Sequence, residues 1–189
     1  MRRLNSTFAL SSLLLLFAAA AWPGAAPAQD GDAASWEAMS TRFDGVWRLT
    51  VPRARGQQTI DSAVDRAVGA MNFMMRGIAR PMLRDNTPLN EEIELRFRDG
   101  NAIFVRFDSR VRYTSRLGAT RRVRTHTGDP MRLTQRFRGD DLEQVFQADG
   151  GTRWNTYTIL PDGRMQMTAV TQGDMMPQPL RFVLTYRRR

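Results

Sequence analysis

The sequence predicts a mainly β domain: a ten-stranded antiparallel up-and-down barrel, closed or left open on one side, with one long helical segment between strands one and two. Residues 60–83 carry apolar side chains at helical spacing, whereas apolar and polar residues alternate from residue 90 onward. Glycine-containing turns separate the alternating segments. Because ten consecutive strands with one apolar face must bury that face and hide their edges, a barrel is favoured.

The N-terminus has the pattern of an export signal. Arg2 and Arg3 precede an apolar run, residues 10–22, that is too short for an ordinary membrane span, and the small residues of Ala26-Pro27-Ala28 follow it. We therefore expect residues 1–28 to be a signal peptide cleaved near Ala28, giving a periplasmic or secreted product. Residues 29–35 are predicted to be a disordered leader, and residues 36–189 a single barrel domain.

The charge balance is strongly basic. The chain has a formal net charge of +9, and all 28 of its basic residues are arginine. An exported protein has little access to nucleic acid, so we expect no nucleic-acid partner and retain a weak contact with an anionic membrane surface. The chain has no cysteine, so its stability must come from the core rather than from disulfides.

The first strand and the helical segment follow from simple signals. A short helical turn, residues 36–43 with Ser35 as its cap, precedes a strand, residues 43–51, that ends at Pro52. The apolar stripe of residues 60–83 keeps its phase across two glycines. The segment is therefore predicted to be one continuous or gently kinked helix, broken at most near Pro81.

Hairpin registers can be predicted from the requirement that one face be apolar. A three-residue loop, Arg98–Gly100, keeps the apolar residues of strands two and three on one side, whereas a two-residue Asp-Gly turn does not. The loop Pro161–Gly163 does the same for Tyr157 and its partners. The other strands are expected at residues 111–115, 121–126, 131–138, 142–148 and 180–187, with the last beside the first.

This layout resembles the calycins. A Gly-x-Trp first strand, a helical insertion and nine further strands in hairpins are similar to the fatty-acid-binding-protein branch, and Gly45-Val46-Trp47 also matches the lipocalin first-strand motif. A weaker resemblance is to periplasmic lipoprotein carriers, which have an unclosed barrel under a helical lid. Fatty-acid-binding proteins hold a carboxylate with an Arg-x-Tyr in the last strand. With Tyr186 in the tyrosine's place, the arginine's position is Leu184, so this motif does not transfer.

Polar residues occur on the predicted inner face. A solid apolar core would not accept them without partners, whereas a ligand cavity containing water would. Arg153, with Tyr157 or Tyr186, is a candidate for holding a carboxylate or phosphate head. The other candidate ligand-binding residues are Asn155, Gln135, Gln144, Phe146, Met165, Met167 and Phe182. Alternatively, Arg153 and Asn155 lie at the barrel rim and simply reach solvent.

Four methionines follow the apolar side of the helical segment and are candidates for a lid: Met71, Met74, Met75 and Met82. Methionine adapts to varied apolar shapes, which suits a lid over lipid, although such methionines are more often part of an ordinary core.

Catalytic and metal chemistry have little support. His126 is the only histidine, there is no cysteine, and no serine lies in a Gly-x-Ser-x-Gly context. A haem site with one histidine ligand remains an alternative, but His126 shares its face with Arg122 and Arg124 and is expected to face water. We predict no catalytic residue, no metal site and no cofactor.

Three functions are therefore considered. The first is a monomeric, non-enzymatic binding protein for a fatty acid, lipid or similar apolar small molecule held in the barrel. The second is an envelope interaction module with a filled core that docks on anionic lipid or a protein partner. The third is a cofactor-free barrel enzyme, for instance an isomerase acting on a bound lipid.

Overall fold

A computed structural model describes residues 30–108 and 111–189, with side chains from residue 36 onward, so the predicted signal peptide lies outside the described residues. The helices are α1 (Asp30–Phe43), α2 (Arg53–Gly69) and α3 (Phe73–Asp85). The strands are β1 (Gly45–Leu49), β2 (Glu92–Arg98), β3 (Ala102–Phe107), β4 (Val111–Arg116), β5 (Thr120–Arg124), β6 (Pro130–Arg138), β7 (Asp141–Ala148), β8 (Gly151–Ile159), β9 (Met165–Gly173) and β10 (Leu180–Arg188). No helix in the described ranges is long and apolar enough to cross a bilayer.

The strands form one antiparallel sheet that closes almost completely into a barrel, which confirms the predicted fold class. The strand order is β4-β3-β2-β1-β10-β9-β8-β7-β6-β5, so the last strand returns beside the first. Consecutive strands from β1 to β10 pair with each other except at one place, between β4 and β5. Buried and more exposed residues alternate along most strands, and the inward rows form the core.

One hairpin register is as predicted and the other is shifted. Ile159 pairs with Met165 around the loop Pro161–Gly163, as expected. In the β2–β3 hairpin Phe97 pairs with Ile103, so the three-residue loop is Asp99–Asn101 rather than Arg98–Gly100. Both Gly100 and Asn101 have positive φ, of 73° and 58°. The shift moves each strand by one residue relative to the loop and leaves the apolar residues on the same side.

The prediction of one continuous or gently kinked helix, broken at most near Pro81, was wrong, because the segment forms two helices. The break lies at residues 70–72, whereas Pro81 lies inside α3. The side chain of Asn72 accepts a hydrogen bond of 3.0 Å from the backbone N–H of Met74 and so caps α3. Arg76 donates hydrogen bonds to the carbonyl oxygens of Met71 and Gly69 at 3.0 and 2.9 Å, which satisfies groups at the end of α2.

The first helix starts earlier than the Ser35 cap predicts and includes most of the predicted leader. It lies against one end of the barrel. There Trp36 packs edge-on against Phe97, with ring centroids 5.4 Å apart, and also against Phe137, at 6.0 Å. Phe43 is fully buried, and its carbonyl accepts a hydrogen bond of 2.9 Å from Trp47 Nε1. We call this end, at the β2–β3 and β6–β7 turns, the closed end.

The other two helices cover the opposite end. The inner face of α2 is buried and packs on β10 and the core; its buried residues are Gly56, Ile60, Ala63, Val64, Ala67 and Val68. The third helix lies against α2, where Arg80 forms an ion pair of 3.2 Å with Asp65. Helices therefore lie over both ends of the barrel.

A chain of buried polar groups connects the barrel wall across its single break. Gln135 Nε2, on β6, donates to the Ile103 carbonyl at 3.0 Å and to Ser115 Oγ, on β4, at 2.9 Å. Gln144 Nε2 donates to Gln135 Oε1 at 2.6 Å, and the Tyr157 hydroxyl donates to Gln144 Oε1 at 2.7 Å. These buried side chains therefore satisfy one another, so water is not required to satisfy them.

Replacing Gln144 with leucine tests this chain of hydrogen bonds. The substitution leaves the Tyr157 hydroxyl without its acceptor and Gln135 Oε1 without its donor. We expect the free energy of unfolding in urea to fall by about 1–3 kcal/mol for each orphaned group. Gln147→Leu, on the exposed side of the same strand, should change it by only about 0.5 kcal/mol. Equal effects of the two substitutions would show that the buried bonds do not contribute to stability.

Candidate ligand-binding site

The site lies at the barrel end beneath α2 and α3, which we call the mouth. Phe107, Tyr113, Phe146, Arg153 and Phe182 point inward there from five different strands. Each lies within three residues of the end of its strand, and the antiparallel pairing brings these ends together. The alternation that points apolar side chains into the core thus also points these five side chains into the mouth.

Aromatic rings line most of the mouth. The centroids of Phe107 and Tyr113 are 6.2 Å apart, and those of Tyr113 and Phe146 are 5.5 Å apart. These three rings retain 8%, 7% and 8% of their accessible surface, respectively, whereas Tyr157, four residues further along β8 than Arg153, retains none. Solvent therefore reaches the mouth but not the middle of the barrel.

The guanidinium of Arg153 points into the mouth among these aromatic side chains. Arg153 Nε donates to Asn155 Oδ1 at 2.9 Å, and its Nη1 donates to the Asn86 carbonyl, in the loop after α3, at 3.4 Å. Its Cζ lies 5.9 Å from the centroid of the Phe182 ring. No carboxylate among the described side chains forms an ion pair with Arg153. The neutral groups around it are therefore its only partners in the described part of the chain.

Burial shifts the ionisation of the groups around the mouth. Desolvation lowers the pKa of Arg153, opposed by the nearby Tyr157, Tyr186 and Tyr113. An arginine nevertheless stays protonated at neutral pH. Desolvation also raises the pKa of Tyr113 to about 12 and raises the pKa values of Tyr157 and Tyr186. All three tyrosines are therefore neutral hydroxyl donors at neutral pH.

The structure places most predicted site residues inside the barrel. Gln135, Gln144 and Asn155 are buried, as are the apolar candidates Phe146, Met165, Met167 and Phe182. Tyr186 is fully buried, and its hydroxyl donates to the Asn90 carbonyl at 3.0 Å. Arg153 is partly buried at the mouth, so it lies between the two predicted positions, the interior and the solvated rim. That these residues bind a ligand stays a prediction.

The four candidate lid methionines do not share one environment. Met71 is buried and Met75 is half-buried, but Met74 and Met82 are 80% and 54% exposed. The break at residues 70–72 resets the direction of the helical face, so Met74 and Met82 point away from the barrel. The prediction that all four lie on the face that covers the barrel depended on an unbroken helix and was wrong for these two.

Sequence reasoning missed several groups at the mouth. The predicted hairpin register puts Phe107 on the inward side, but Phe107 is not among the candidate site residues. Tyr113 lies on the inward row of β4, so the alternation of that strand could have identified it. The backbone carbonyls of Asn86 and Asn90, which accept hydrogen bonds from Arg153 and Tyr186, give no sequence signal.

His126 lies outside the site. It is exposed in the β5–β6 loop, and its Nε2 lies 2.8 Å from the Asp85 carbonyl oxygen at the end of α3. The described residues contain no cluster of histidine, aspartate and glutamate side chains that could hold a metal ion.

Comparisons with known proteins find a similarity of structure only. No family model and no curated protein matches the chain. Among solved structures, Echinococcus granulosus fatty-acid-binding protein 1 is 12% identical, with a TM-score of 0.51, and 78% of this chain covers 98% of that protein. For the fluorescent protein UnaG the identity is 16% and the TM-score 0.53, with 79% and 98% coverage. Caenorhabditis elegans lipid binding protein 8 is 10% identical, with a TM-score of 0.52, and 79% of this chain covers 96% of that protein. The chain therefore has a calycin-like barrel, the fold of the fatty-acid-binding proteins.

Proposed function

We propose that this chain is a non-enzymatic binding protein for a small apolar molecule that carries an anionic group, such as a fatty acid. The observation that carries the proposal is the inward-pointing guanidinium of Arg153 at an aromatic mouth, without a carboxylate partner among the described side chains. A desolvated cation with only neutral partners is stabilised by an incoming anion.

The polar groups around Arg153 are suited to an oxyanion. The guanidinium can donate two parallel hydrogen bonds to a carboxylate. The neighbouring Tyr186 hydroxyl is uncharged at neutral pH and can donate a further one. In the structure these donors bind the carbonyls of Asn86 and Asn90 in the loop after α3, and a ligand oxygen would replace those acceptors.

The apolar part of the ligand would enter the packed interior. Met165 and Met167 are buried beside Phe146 and Phe182, and methionine side chains change rotamer at low cost. The ligand would therefore displace side chains rather than fill a preformed cavity. The names of two structural neighbours, a fatty-acid-binding protein and a lipid binding protein, support a ligand of this class.

The place of action and the oligomeric state belong to the same proposal. The N-terminal pattern of residues 1–28 supports export, with action as a monomer in the periplasm or outside the cell. A barrel of this kind would act by equilibrium sequestration of its ligand, without a catalytic step.

A second candidate function, an envelope module that docks on anionic lipid, is favoured by the filled interior. Inward side chains such as Ile93, Leu95 and Ile103 retain no accessible surface. The third helix also exposes an apolar stripe, in which Met74, Ile78 and Met82 are 80%, 66% and 54% exposed. Native mass spectrometry of the exported protein distinguishes the two functions. A co-purified lipid supports the first, whereas a ligand-free protein that binds anionic vesicles supports the second.

Replacing Arg153 with methionine tests the proposed anion site. We expect the dissociation constant of a long-chain fatty acid to rise at least about tenfold, because a hydrogen bond to a charged group is worth about 1.5–3 kcal/mol. Binding of the corresponding fatty alcohol should change little. Fluorescent analogues of both ligands, titrated into the folded protein, provide the measurement.

The control is Arg181→Met, which removes an exposed arginine from the outer face of β10. It should leave both affinities unchanged. The proposal fails if the wild-type protein binds neither ligand, or if Arg153→Met weakens the acid and the alcohol equally.

The mouth also predicts how stability depends on alkaline pH. The pKa of Tyr113 is raised from 10.0 to about 12, so the folded state keeps a proton that the unfolded state loses. This stabilisation is complete below pH 10.0 and should be lost as the pH rises through about 12. Because all three tyrosines of the chain are buried, ultraviolet absorbance should show tyrosinate only as circular dichroism shows unfolding. A tyrosine that ionises near pH 10 in the folded protein would contradict this.

A further inference from the structure

A groove crosses the outer face of β2, β3 and β4, on the opposite side of the barrel wall from the core. It is open to solvent and has a volume of about 550 Å³. Its lining residues are Glu94, Arg96, Phe97, Arg98, Phe104, Arg106 and Arg112. Four arginines thus converge on one small surface, and neither the barrel fold nor the proposed interior site requires them there.

Two of the four arginines are neutralised within the groove. Glu94 accepts hydrogen bonds from Arg96 Nε at 3.0 Å and from Arg106 Nε at 2.7 Å. Asp44 also pairs with Arg96, at 2.8 Å. Burial opposes ionisation of Glu94, but its bonds to Arg106 and Arg96 lower its pKa overall, so it is charged at neutral pH. These pairs hold Arg96 and Arg106 in fixed positions.

The other two, Arg98 and Arg112, form no ion pair with any carboxylate among the described side chains. Arg98 lies over the Phe104 ring, with its Cζ 5.4 Å from the ring centroid. Arg112 is directly opposite Arg106 on the neighbouring strand, and the ion pair of Arg106 with Glu94 reduces the repulsion between the two like charges but leaves Arg112 without an anionic partner of its own among the described side chains. The groove therefore has an uncompensated charge of about two positive units.

Strand spacing allows both arginines to reach one ligand. Arg98 is on β2 and Arg112 is on β4, on either side of Phe104 on β3. Arg98 pairs with Ala102 and Arg112 pairs with Arg106, so the two backbones are about 10 Å apart across the sheet and about 13 Å apart along the strands, with Phe104 midway. Two extended arginine side chains that lean towards Phe104 can span the resulting separation of about 16 Å with a phosphate between them. The Phe104 ring between them offers an apolar surface to the organic part of such a ligand.

We propose that this groove binds a phosphate monoester, with Arg98 and Arg112 as the groups that hold the phosphate and Phe104 as the floor. A phosphate monoester carries a charge of about −1.5 to −2 at pH 7, which matches the excess of the groove better than a single carboxylate does. The guanidinium fork fits its oxygens bidentately. The same chemistry occurs in a soluble metabolite and in a monoester lipid headgroup. The inference is independent of the interior site.

Isothermal titration of the full mature chain with phenyl phosphate tests the proposal. The test variant is R98Q/R112Q, and the control is R122Q/R132Q. The control removes the same charge from a directly opposed arginine pair on β5 and β6, outside the groove. We expect the test variant to raise the dissociation constant at least about tenfold and the control about twofold or less. Thermal melting verifies that both variants fold.

Vesicles distinguish the two sources of phosphate. Binding to phosphatidic acid vesicles that is lost in R98Q/R112Q and displaced by phenyl phosphate assigns the groove to a lipid headgroup. Binding of phenyl phosphate without binding to these vesicles assigns it to a soluble monoester. The proposal is overturned if the wild-type chain does not bind phenyl phosphate, or if the two double variants weaken binding equally, which would show an effect of net charge alone.

Discussion

The barrel depends on how its one break is closed. The sheet lacks a ladder between β4 and β5, and an open edge there would leave backbone groups and apolar side chains in water. The side-chain amide of Gln135 crosses this break and donates hydrogen bonds to the Ile103 carbonyl and to Ser115. Gln144 donates to Gln135 Oε1 and accepts a hydrogen bond from Tyr157. Arg121 adds a bond of 2.8 Å to the Thr114 carbonyl. A polar group in the core is tolerated here because every donor and acceptor finds a protein partner.

Much of the fold could be predicted because period-two alternation and turn chemistry are local signals. They correctly indicate ten strands and the return of β10 beside β1. They do not determine the Asp99–Asn101 loop, because both three-residue loops keep the same residues inside. The helical break was missed because the apolar phase continues across Gly69. The signal was Asn72, a strong N-cap residue three positions after a glycine at which α2 ends.

The candidate site was predictable in position but not in its bonding. Alternation alone places Gln135, Gln144 and Asn155 inside the barrel. It cannot show that Gln135 and Gln144 are directly opposite on paired strands, and so can satisfy each other. The burial of Gln135 and Gln144 therefore does not require a cavity that contains water. Arg153 is different, because the neutral acceptors around it do not balance its charge.

The two faces of the barrel wall thus differ in how well they hydrate an arginine side chain. On the outer face the pleat directs guanidinium groups to solvent, where hydration stabilises them and exposed pairs such as Arg48–Glu92 contribute little to stability. At the mouth, Arg153 loses part of that hydration, and the Phe182 ring and two amide oxygens replace it incompletely. An apolar residue at position 153 would be less unfavourable to the free energy of folding than this arginine. The position of this charge is therefore better explained by a ligand that brings an anion than by the stability of the barrel.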